Sequence, residues 1–443
     1  MRTLVLVDGE HYPPVTASAI EAARARGHDV VGALLMGGAE KLRPGELPAL
    51  GVEVTPAGAD RQAALAEAID RLAPEQVLDL SDEPVMGYRE RMAVAATVLA
   101  RGVVYAGADF RLDPPPSAPA PPGIPTIAVF GTGKRTGKTA IAGEVARRAA
   151  AAGYEPVVVA MGRGGPAEPQ VVEPGSVDVD ALVAKARAGE HAASDYLEDA
   201  LTTGVATIGA RRAGGGLAGA PYVSNVPEAV AIAAARVPGL IVLEGSGAAL
   251  PPVAWDAGIL VLPATCPLEY LAGYLGPYRL LRADLAVVTM ASNPATGPEE
   301  LSALTSHLRN ALGDAYVVTD LFPVPLRDVR GSTAFLTTTA PPAVAARQAQ
   351  HLEATAGCRV VGWSARLADR AGLAADLDAA RPYDVLLTEL KAAAVDVATE
   401  AALARGAEVV VVDNRAEVVE GPADLSTELL RTIELARSRG HER

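Results

Sequence analysis

The chain has 443 residues, half of them hydrophobic, and its 53 acidic against 39 basic side chains give a formal net charge of -14. Such a length implies two or three domains, and the charge argues against a general nucleic-acid or membrane-surface binder, since both attract basic faces. Two cysteines far apart in sequence, Cys266 and Cys358, give no disulfide framework or cysteine metal cluster and suit a reducing cytoplasm. In chain order, residues 4–7 read as a strand, and Asp8 and Glu10 end the apolar run too early for a signal peptide. A helix is predicted over 17–26, a strand over 30–35, a helix over 60–72, a strand over 77–80 and a helix over 91–101. Strands alternating with helices imply a parallel sheet. The run Asp113-Pro-Pro-Pro-Ser-Ala-Pro-Ala-Pro-Pro-Gly-Ile-Pro125 then marks an extended boundary. Beyond it, strands are predicted at 126–130, 156–160, 240–243, 259–262, 285–289 and 316–319. Phe322-Pro-Val-Pro325 reads as a turn and a second boundary. The last part reads as strand 334–338, helix 343–354, strands 360–363 and 385–388, helix 394–405 and strand 409–412. The expected division is 1–120, 121–325 and 326–443. Long apolar stretches are Ala-rich and broken by charge or proline, so none reads as a membrane span.

The strongest motif is Gly131-Thr-Gly-Lys-Arg-Thr-Gly-Lys-Thr-Ala140, between a predicted strand and a helical pattern. A strand, a glycine-rich loop ending in Gly-Lys-Thr and a helix make a phosphate cradle, in which backbone N–H groups face the phosphates. Lys138 can reach the terminal phosphates and the Thr139 hydroxyl can ligate Mg²⁺. The expected nucleotide contacts are Gly131, Thr132, Gly133, Lys134, Arg135, Thr136, Gly137, Lys138, Thr139 and Ala140. The usual first glycine is Thr132 here, with Gly131 one residue earlier, a spacing that resembles the dethiobiotin-synthetase branch of P-loop proteins. The fold expected is therefore α/β: a dethiobiotin-synthetase-like P-loop NTPase core with a parallel sheet, flanked by smaller N- and C-terminal α/β domains. The Asn-Lys-x-Asp motif of GTPases is absent; the chain has Val287-Val-Thr-Met-Ala-Ser-Asn293 in its place.

Leu240-Ile-Val-Leu-Glu-Gly-Ser-Gly247 is the second signal. Its apolar strand ends in Glu244, where a P-loop fold brings a carboxylate to Mg²⁺; a turn or helix cap is the plainer alternative. Met161-Gly-Arg-Gly-Gly-Pro166 offers Arg163 and Gly164 to an anion. Arg211 and Arg212 precede the run Gly214-Gly-Gly216 and read either as a second anion cradle or as a solvated loop. So many cations in glycine-rich loops of an acidic protein suggest a second, multiply charged anionic substrate. Asp195 and Asp199 stand at i, i+4, where a solvated helix face is the plainer reading. His11, in Asp8-Gly-Glu-His-Tyr-Pro13, can bind phosphate or shuttle a proton, although a lone histidine is more often structural. It lies at a strand end, as does Asp79-Leu-Ser-Asp-Glu-Pro84, where parallel sheets bind ligands. The substrate contacts expected are Arg163, Gly164, Arg211, Arg212 and His11. Lys134, Arg135, Lys138 and Glu244 are the expected catalytic residues, and Thr139 and Glu244 the metal ligands.

Taken together, these segments resemble the cyclic 2,3-diphosphoglycerate synthetase family. The likeness runs through Asp8-Gly-Glu-His-Tyr12, Asp79-Leu-Ser-Asp-Glu-Pro84, Gly107-Ala-Asp-Phe110, the P-loop, Ala160-Met-Gly-Arg-Gly-Gly-Pro166, His191-Ala-Ala-Ser-Asp195, Leu243-Glu-Gly-Ser-Gly-Ala-Ala249, Thr338-Thr-Ala-Pro341 and Leu387-Thr-Glu-Leu-Lys-Ala-Ala-Ala-Val-Asp-Val-Ala-Thr399. Thr136 departs from it, an apolar residue being expected there. The resemblance implies closure of 2,3-bisphosphoglycerate into its cyclic pyrophosphate at the expense of ATP, releasing ADP and phosphate. One substrate phosphate would attack the γ-phosphoryl group, and the other would then attack the mixed anhydride. ATP and Mg²⁺ are the expected cofactors, and a cytoplasmic homodimer the expected assembly. Another P-loop ligase or small-molecule kinase, and a non-enzymatic nucleotide switch or metallochaperone, remain as alternatives. Scarce Cys and His argue against a metal cargo.

Overall fold

The structure, a computed structural model, describes residues 1–38, 49–422 and 424–442. They fall into two compact units, Met1–Pro116 with Pro267–Arg282, and Ser117–Cys266 with Ala283–Arg443.

The first unit begins with β1 (Arg2–Val7), α1 (Pro13–Ala25), β2 (Asp29–Leu35), β3 (Val54–Pro56), α2 (Arg61–Leu72), β4 (Gln76–Asp79), α3 (Tyr88–Ala100), β5 (Val104–Ala106) and β6 (Arg111–Leu112). Proline at the start of α1 has its φ preset for a helix and lacks only an N–H that would be orphaned there. Asp60 caps α2 by accepting from the Ala63 amide at 3.0 Å. The sheet order is β3-β2-β1-β4-β5-β6, parallel except for the last pair. Its order reverses beside β1, so the loops after β1 and β4 lie together. There Asp8 accepts from the amides of Glu10, His11 and Asp82 and from His11 Nδ1 at 2.8 Å. Burial alone would raise the Asp8 carboxyl; those donors outweigh it and hold the group below its usual value.

The second unit opens with β7 (Thr126–Gly131), α4 (Lys138–Ala151), β8 (Pro156–Gly162), β9 (Gln170–Val172), α5 (Val179–Arg187), α6 (Asp195–Thr203), β10 (Ala206–Ala213), β11 (Val223–Ser224), α7 (Val226–Ala235), β12 (Leu240–Glu244) and β13 (Ala257–Pro263). The chain then contributes α8 (Glu269–Ala272) and α9 (Gly276–Leu280) to the first unit. It returns as β14 (Leu285–Thr289), α10 (Pro298–Leu312), β15 (Tyr316–Pro325), β16 (Thr333–Thr337), α11 (Pro342–Ala356), β17 (Arg359–Ser364), α12 (Arg370–Asp378) and β18 (Val385–Thr388). A π-helical turn over Ala394–Thr399 leads into α13 (Glu400–Ala404), β19 (Glu408–Glu420) and α14 (Leu425–His441).

One sheet runs through this unit in the order β11-β10-β8-β12-β7-β13-β14-β15-β19-β18-β16-β17, and β9 also pairs with β10. From β10 to β15 the neighbours are parallel, and so are those from β19 to β17. A single antiparallel ladder, β15 with β19, joins the two halves. Its register sets their placement. β14 pairs only with Tyr316, Val317 and Val318 of β15, and β18 only with Glu408–Val411 of β19 by register. The remaining ladder, Val318↔Glu420 to Pro325↔Val412, lies between. The carboxyl ends of the two parallel halves therefore face each other across about 20 Å of ribbon, at roughly 3.3 Å per residue. Phe322-Pro-Val-Pro325, expected to be a turn, is the far end of β15. Beyond Val318 that strand has a neighbour on one side only, so two alternate prolines can turn their missing N–H groups to the open edge.

The central strands of the P-loop sheet are buried almost throughout and mostly apolar, as a sheet covered on both faces requires. α4 supplies Ile141, Val145 and Ala149, and α14 supplies Leu425, Leu429 and Ile433, to one core with Ile127, Val129, Ile259 and Val287. Ile433 is fully buried. Replacing it with alanine should cost roughly 2–5 kcal/mol, the usual range for a core Ile→Ala change. Urea unfolding checks this; an unchanged midpoint would mean that α14 does not support this core.

Candidate active site

The loop after β7 closes on the helix α4. Gly137 sits at φ +86° immediately before Lys138, a conformation that glycine adopts without strain. The loop is braced from behind: Thr289 Oγ1, at the end of β14, donates to the Thr136 carbonyl at 2.8 Å. Lys138 is buried, and its ammonium donates to Gly133 O at 2.7 Å and to Thr136 Oγ1 at 3.2 Å. The departure at Thr136 thus gives the lysine a hydroxyl to hold. Burial lowers the Lys138 ammonium to about 8, against the opposing pull of Glu244 and Asp195.

Glu244 is the last residue of β12, as expected, and it meets the P-loop: Thr139 Oγ1 donates to Glu244 Oε1 at 2.6 Å. Its Oε2 is buried with no donor among the described residues. Behind it lies Asp199, fully buried, with neither oxygen receiving a donor. The expected solvated face of this helix gives way here, because α6 turns Asp199 into the sheet and leaves Asp195 half-buried at the cavity wall. Burial, reinforced by the Asp195 charge, pushes the Glu244 carboxyl up to about 7. Burial and then the Glu244 charge raise the Asp199 carboxyl well above its usual value, and the two groups are close enough to share a proton.

These residues open onto a cavity of about 670 Å³, a size typical of small-molecule sites. Residues 134–140 of the P-loop, Arg163, Gly164, Asp195, Glu198, Glu244 and Gly247 line it from one half of the sheet. Thr339, Arg347, Gln348, Glu389, Lys391, Asp413 and Asn414 line it from the other. Arg163, Lys134 and Arg135 are exposed and make no ion pair among the described residues.

Arg211 and Arg212, expected in a loop, are consecutive residues of β10, so their side chains leave opposite faces of the strand. Arg211 is exposed and does not line the cavity. Arg212 is buried, and its guanidinium donates to Gly214 O and Ser246 O, both at 2.7 Å. A Cβ at Gly247 would lie 2.6 Å from Arg163 Nη2 and 2.9 Å from Arg212 Nη2. The two guanidinium groups therefore converge over one glycine, with no carboxylate between them. Burial and the Arg163 charge lower the Arg212 guanidinium from its ordinary value. His11 belongs to the first unit, where its ring is engaged by Asp8.

The oxygen donors beside the P-loop suit Mg²⁺. No described group of three or more His, Cys, Asp or Glu could hold a metal by itself, but Mg²⁺ characteristically takes one or two protein oxygens and completes its shell with phosphates and water. Thr139 Oγ1 and the donorless Glu244 Oε2 are of that kind. Three parts of the lining were not singled out from spacing: Glu198, Glu389 and Lys391. Glu389 and Lys391 lie in the Leu387–Thr399 stretch, where neither periodicity nor a phosphate motif marks them, and only the topology brings them to the P-loop.

Three family profiles match the chain: the N-terminal domain of cyclic 2,3-diphosphoglycerate synthetase over residues 2–113, its P-loop domain over 126–321 and its C-terminal domain over 325–415. A curated relative from Rubrobacter xylanophilus, named cyclic 2,3-diphosphoglycerate synthetase, is 47% identical over 450 aligned residues, covering 100% of this chain and 99% of that protein. Relatives of the same name from Thermococcus sibiricus and Methanothermobacter thermautotrophicus are 41% and 39% identical, over 93% and 98% of this chain and 94% and 96% of their own lengths. A solved DUF1611 family protein from Anabaena variabilis covers 81% of this chain and 93% of that chain, at 12% identity and a TM-score of 0.18, a likeness that carries no argument. With three profiles matched in order over residues 2–113, 126–321 and 325–415, and relatives of one name aligned over 93–100% of its length, the chain belongs to the cyclic 2,3-diphosphoglycerate synthetase family.

Proposed function

We propose that the cavity is the active site of an ATP-dependent ligase that closes 2,3-bisphosphoglycerate into cyclic 2,3-diphosphoglycerate, with release of ADP and phosphate. The observation that carries this reading is one cavity lined by a P-loop and by Arg163, which makes no ion pair among the described residues, with the buried Arg212 behind it converging on Arg163 over Gly247. A nucleotide occupies the P-loop, and a second polyanion accounts for the arginines. The relatives' shared name supplies the identity of that polyanion.

In this reading ATP lies along residues 131–140, and the proposed core is of the dethiobiotin-synthetase kind, supported by the Gly-Thr-x-x-x-x-Gly-Lys-Thr spacing. The proposed division keeps 121–325 as the nucleotide-binding core, with 1–120 and 326–443 flanking it. Lys138 leaves its loop partners for the terminal phosphates, and Lys134 and Arg135 add charge at the loop's outer edge. Thr139 and Glu244 would hold Mg²⁺, which would supply charge neutralisation to the nucleotide's phosphates. Arg163 and Arg212 hold the bisphosphoglycerate, with the Gly164 backbone close by. His11 is kept as a proposed substrate contact of the first unit and Arg211 as an outer-face cation. An oxygen of one substrate phosphate attacks the γ-phosphorus, and the bond to ADP breaks. An oxygen of the other phosphate then attacks the substrate-side phosphorus of the new anhydride, the ring closes, and orthophosphate departs. Forked guanidinium groups offset the repulsion of two phosphates brought together. A cytoplasmic homodimer belongs to the same reading; neither cysteine is in a disulfide, and no described helix is long and apolar enough to cross a membrane.

³¹P NMR of the purified protein with ATP, Mg²⁺ and 2,3-bisphosphoglycerate should reveal a cyclic pyrophosphate and free phosphate. Phosphate retained on a linear product would instead indicate a kinase. Lys138→Ala should lower turnover by about a hundred-fold or more, the scale of removing a key transition-state donor. Near-normal activity in the folded variant would remove the P-loop from the mechanism. Arg212→Lys should raise KM for bisphosphoglycerate while leaving calorimetric affinity for an ATP analogue nearly unchanged, because lysine keeps the charge but loses the fork. Arg211→Lys, on the opposite face of β10, should leave both unchanged. The reverse pattern would reassign the substrate site.

A further inference from the structure

The half of the sheet that carries no P-loop has its own reversal of strand order. From β16 the chain passes outward to β17, then back across to β18, so the loops after β16 and β18 lie side by side at the carboxyl edge. Open parallel sheets bind ligands at such a point. Here the two loops are fastened together by Glu389. Its Oε1 accepts from Thr338 Oγ1 at 2.9 Å and Asn414 Nδ2 at 3.2 Å, and its Oε2 accepts from the Thr339 amide at 2.9 Å and Thr339 Oγ1 at 2.8 Å. Two residues later Lys391 enters the cavity. Ala392 follows at φ +50°, a left-handed conformation unfavourable to an alanine, and the next element is a π-helical turn. Strain and π-turns of this kind persist where the surrounding structure enforces them, commonly at functional sites. They fix the direction in which Lys391 leaves the backbone.

The Lys391 ammonium lies 3.3 Å from Glu198 Oε1, and its side chain keeps 36% of its surface accessible. Glu198 Oε2 is buried and has no donor among the described residues. Burial alone would lower the Lys391 ammonium; Glu198, Glu389, Asp195 and Glu244 outweigh it, so the lysine stays charged. A charged lysine with one ion pair among the described residues, facing a cavity lined by Lys138 and Arg163, has donors left for an anion.

We propose that Lys391 is a substrate-binding residue of this site, receiving a phosphate of the acceptor from the side opposite the P-loop. The inference rests on the functional reading above and deepens it: the last third of the chain supplies a direct contact to the acceptor, and the nucleotide does not need it.

The test uses the full chain, steady-state turnover followed by ³¹P NMR, calorimetric titration of a non-hydrolysable ATP analogue, and thermal unfolding. Lys391→Met should lower kcat/KM for 2,3-bisphosphoglycerate by about ten-fold or more, chiefly through KM, as loss of a charge-assisted hydrogen bond implies. ATP-analogue affinity should be unchanged, and Lys391→Arg should recover part of the loss. Because Lys391→Met also strands Glu198, the double variant Glu198→Gln/Lys391→Met separates the roles. It should unfold at the wild-type temperature and still show the full substrate defect. Recovery of kcat/KM in the double variant would reduce Lys391 to a counter-ion of Glu198 and overturn the proposal, as would an unaltered KM in Lys391→Met or a parallel fall in ATP-analogue affinity. If the wild-type protein itself forms no cyclic product, the functional reading fails, and this inference with it; if wild type cyclises and Lys391→Met does so equally, this inference alone fails.

Discussion

The ladder between β15 and β19 is the constraint on which the rest of the second unit depends. Each parallel half has a carboxyl edge at which loops gather, and neither edge alone encloses a ligand. Because the ladder is antiparallel and offset, it turns the two edges toward each other. A parallel pairing of β15 with β19 would have set both edges on the same side, with Glu389 and Lys391 in line with the P-loop instead of across from it. The ladder is tied to the phosphate-binding helix as well. Arg147 of α4 lies 2.9 Å from Glu144 and 3.1 Å from Asp413 of β19, and all three side chains are largely buried. A shift of β19 would therefore move the P-loop helix or strand a buried charge, which costs several kcal/mol.

The second constraint is charge. Asp195, Glu198 and Glu244 line the cavity beside the P-loop, with Asp199 buried behind, and four ionised carboxylates would repel an anion there. Burial reduces that repulsion. Glu198 is pushed up to about 8 by burial, against the pull of Lys391, and Glu244 to about 7. With Asp199 raised further, the group carries less negative charge near neutrality than its composition suggests. Lys391, raised by these same carboxylates against the effect of its burial, meanwhile remains charged in the cavity wall. An acidic chain can thus offer an anion site without a basic surface, which is why net charge was silent about the substrate.

Much of the fold was legible because local and global rules agree there. Strands such as residues 385–388 read directly from apolar runs, and the P-loop from a motif whose flanking strand and helix are strong in sequence. The failures share a cause, namely that tertiary pairing decides. Pro323 and Pro325 read as a turn, yet β15 tolerates them because one of its edges is open there. Arg211 and Arg212 read as a pair, and a strand separates them. Asp199 looked solvated because i, i+4 spacing marks a face without saying which way it points. Glu198, Glu389 and Lys391 were reachable only through strand order, since no motif joins residues so far apart in sequence.

Part of the chain's departure from its own local preferences gathers around the cavity. Among the described residues, seven other than glycine have positive φ, and Arg135, Met290 and Ala392 of these line the site. They come from the P-loop, the end of β14 and the loop after β18, so the strain is distributed over both facing edges. Ordinary packing would relax such residues at a gain of order 1–3 kcal/mol each. Each persists beside a group that its neighbours hold in place: Thr136 O braced by Thr289, and Glu389 saturated by Thr338, Thr339 and Asn414. Arg135 lies in the same loop as Lys138, and Ala392 directly follows Lys391, so strained backbone adjoins both ammonium groups. Stability given up at the two edges is thus spent on fixing two ammonium groups on opposite sides of one cavity, an arrangement suited to holding two phosphates against their own repulsion.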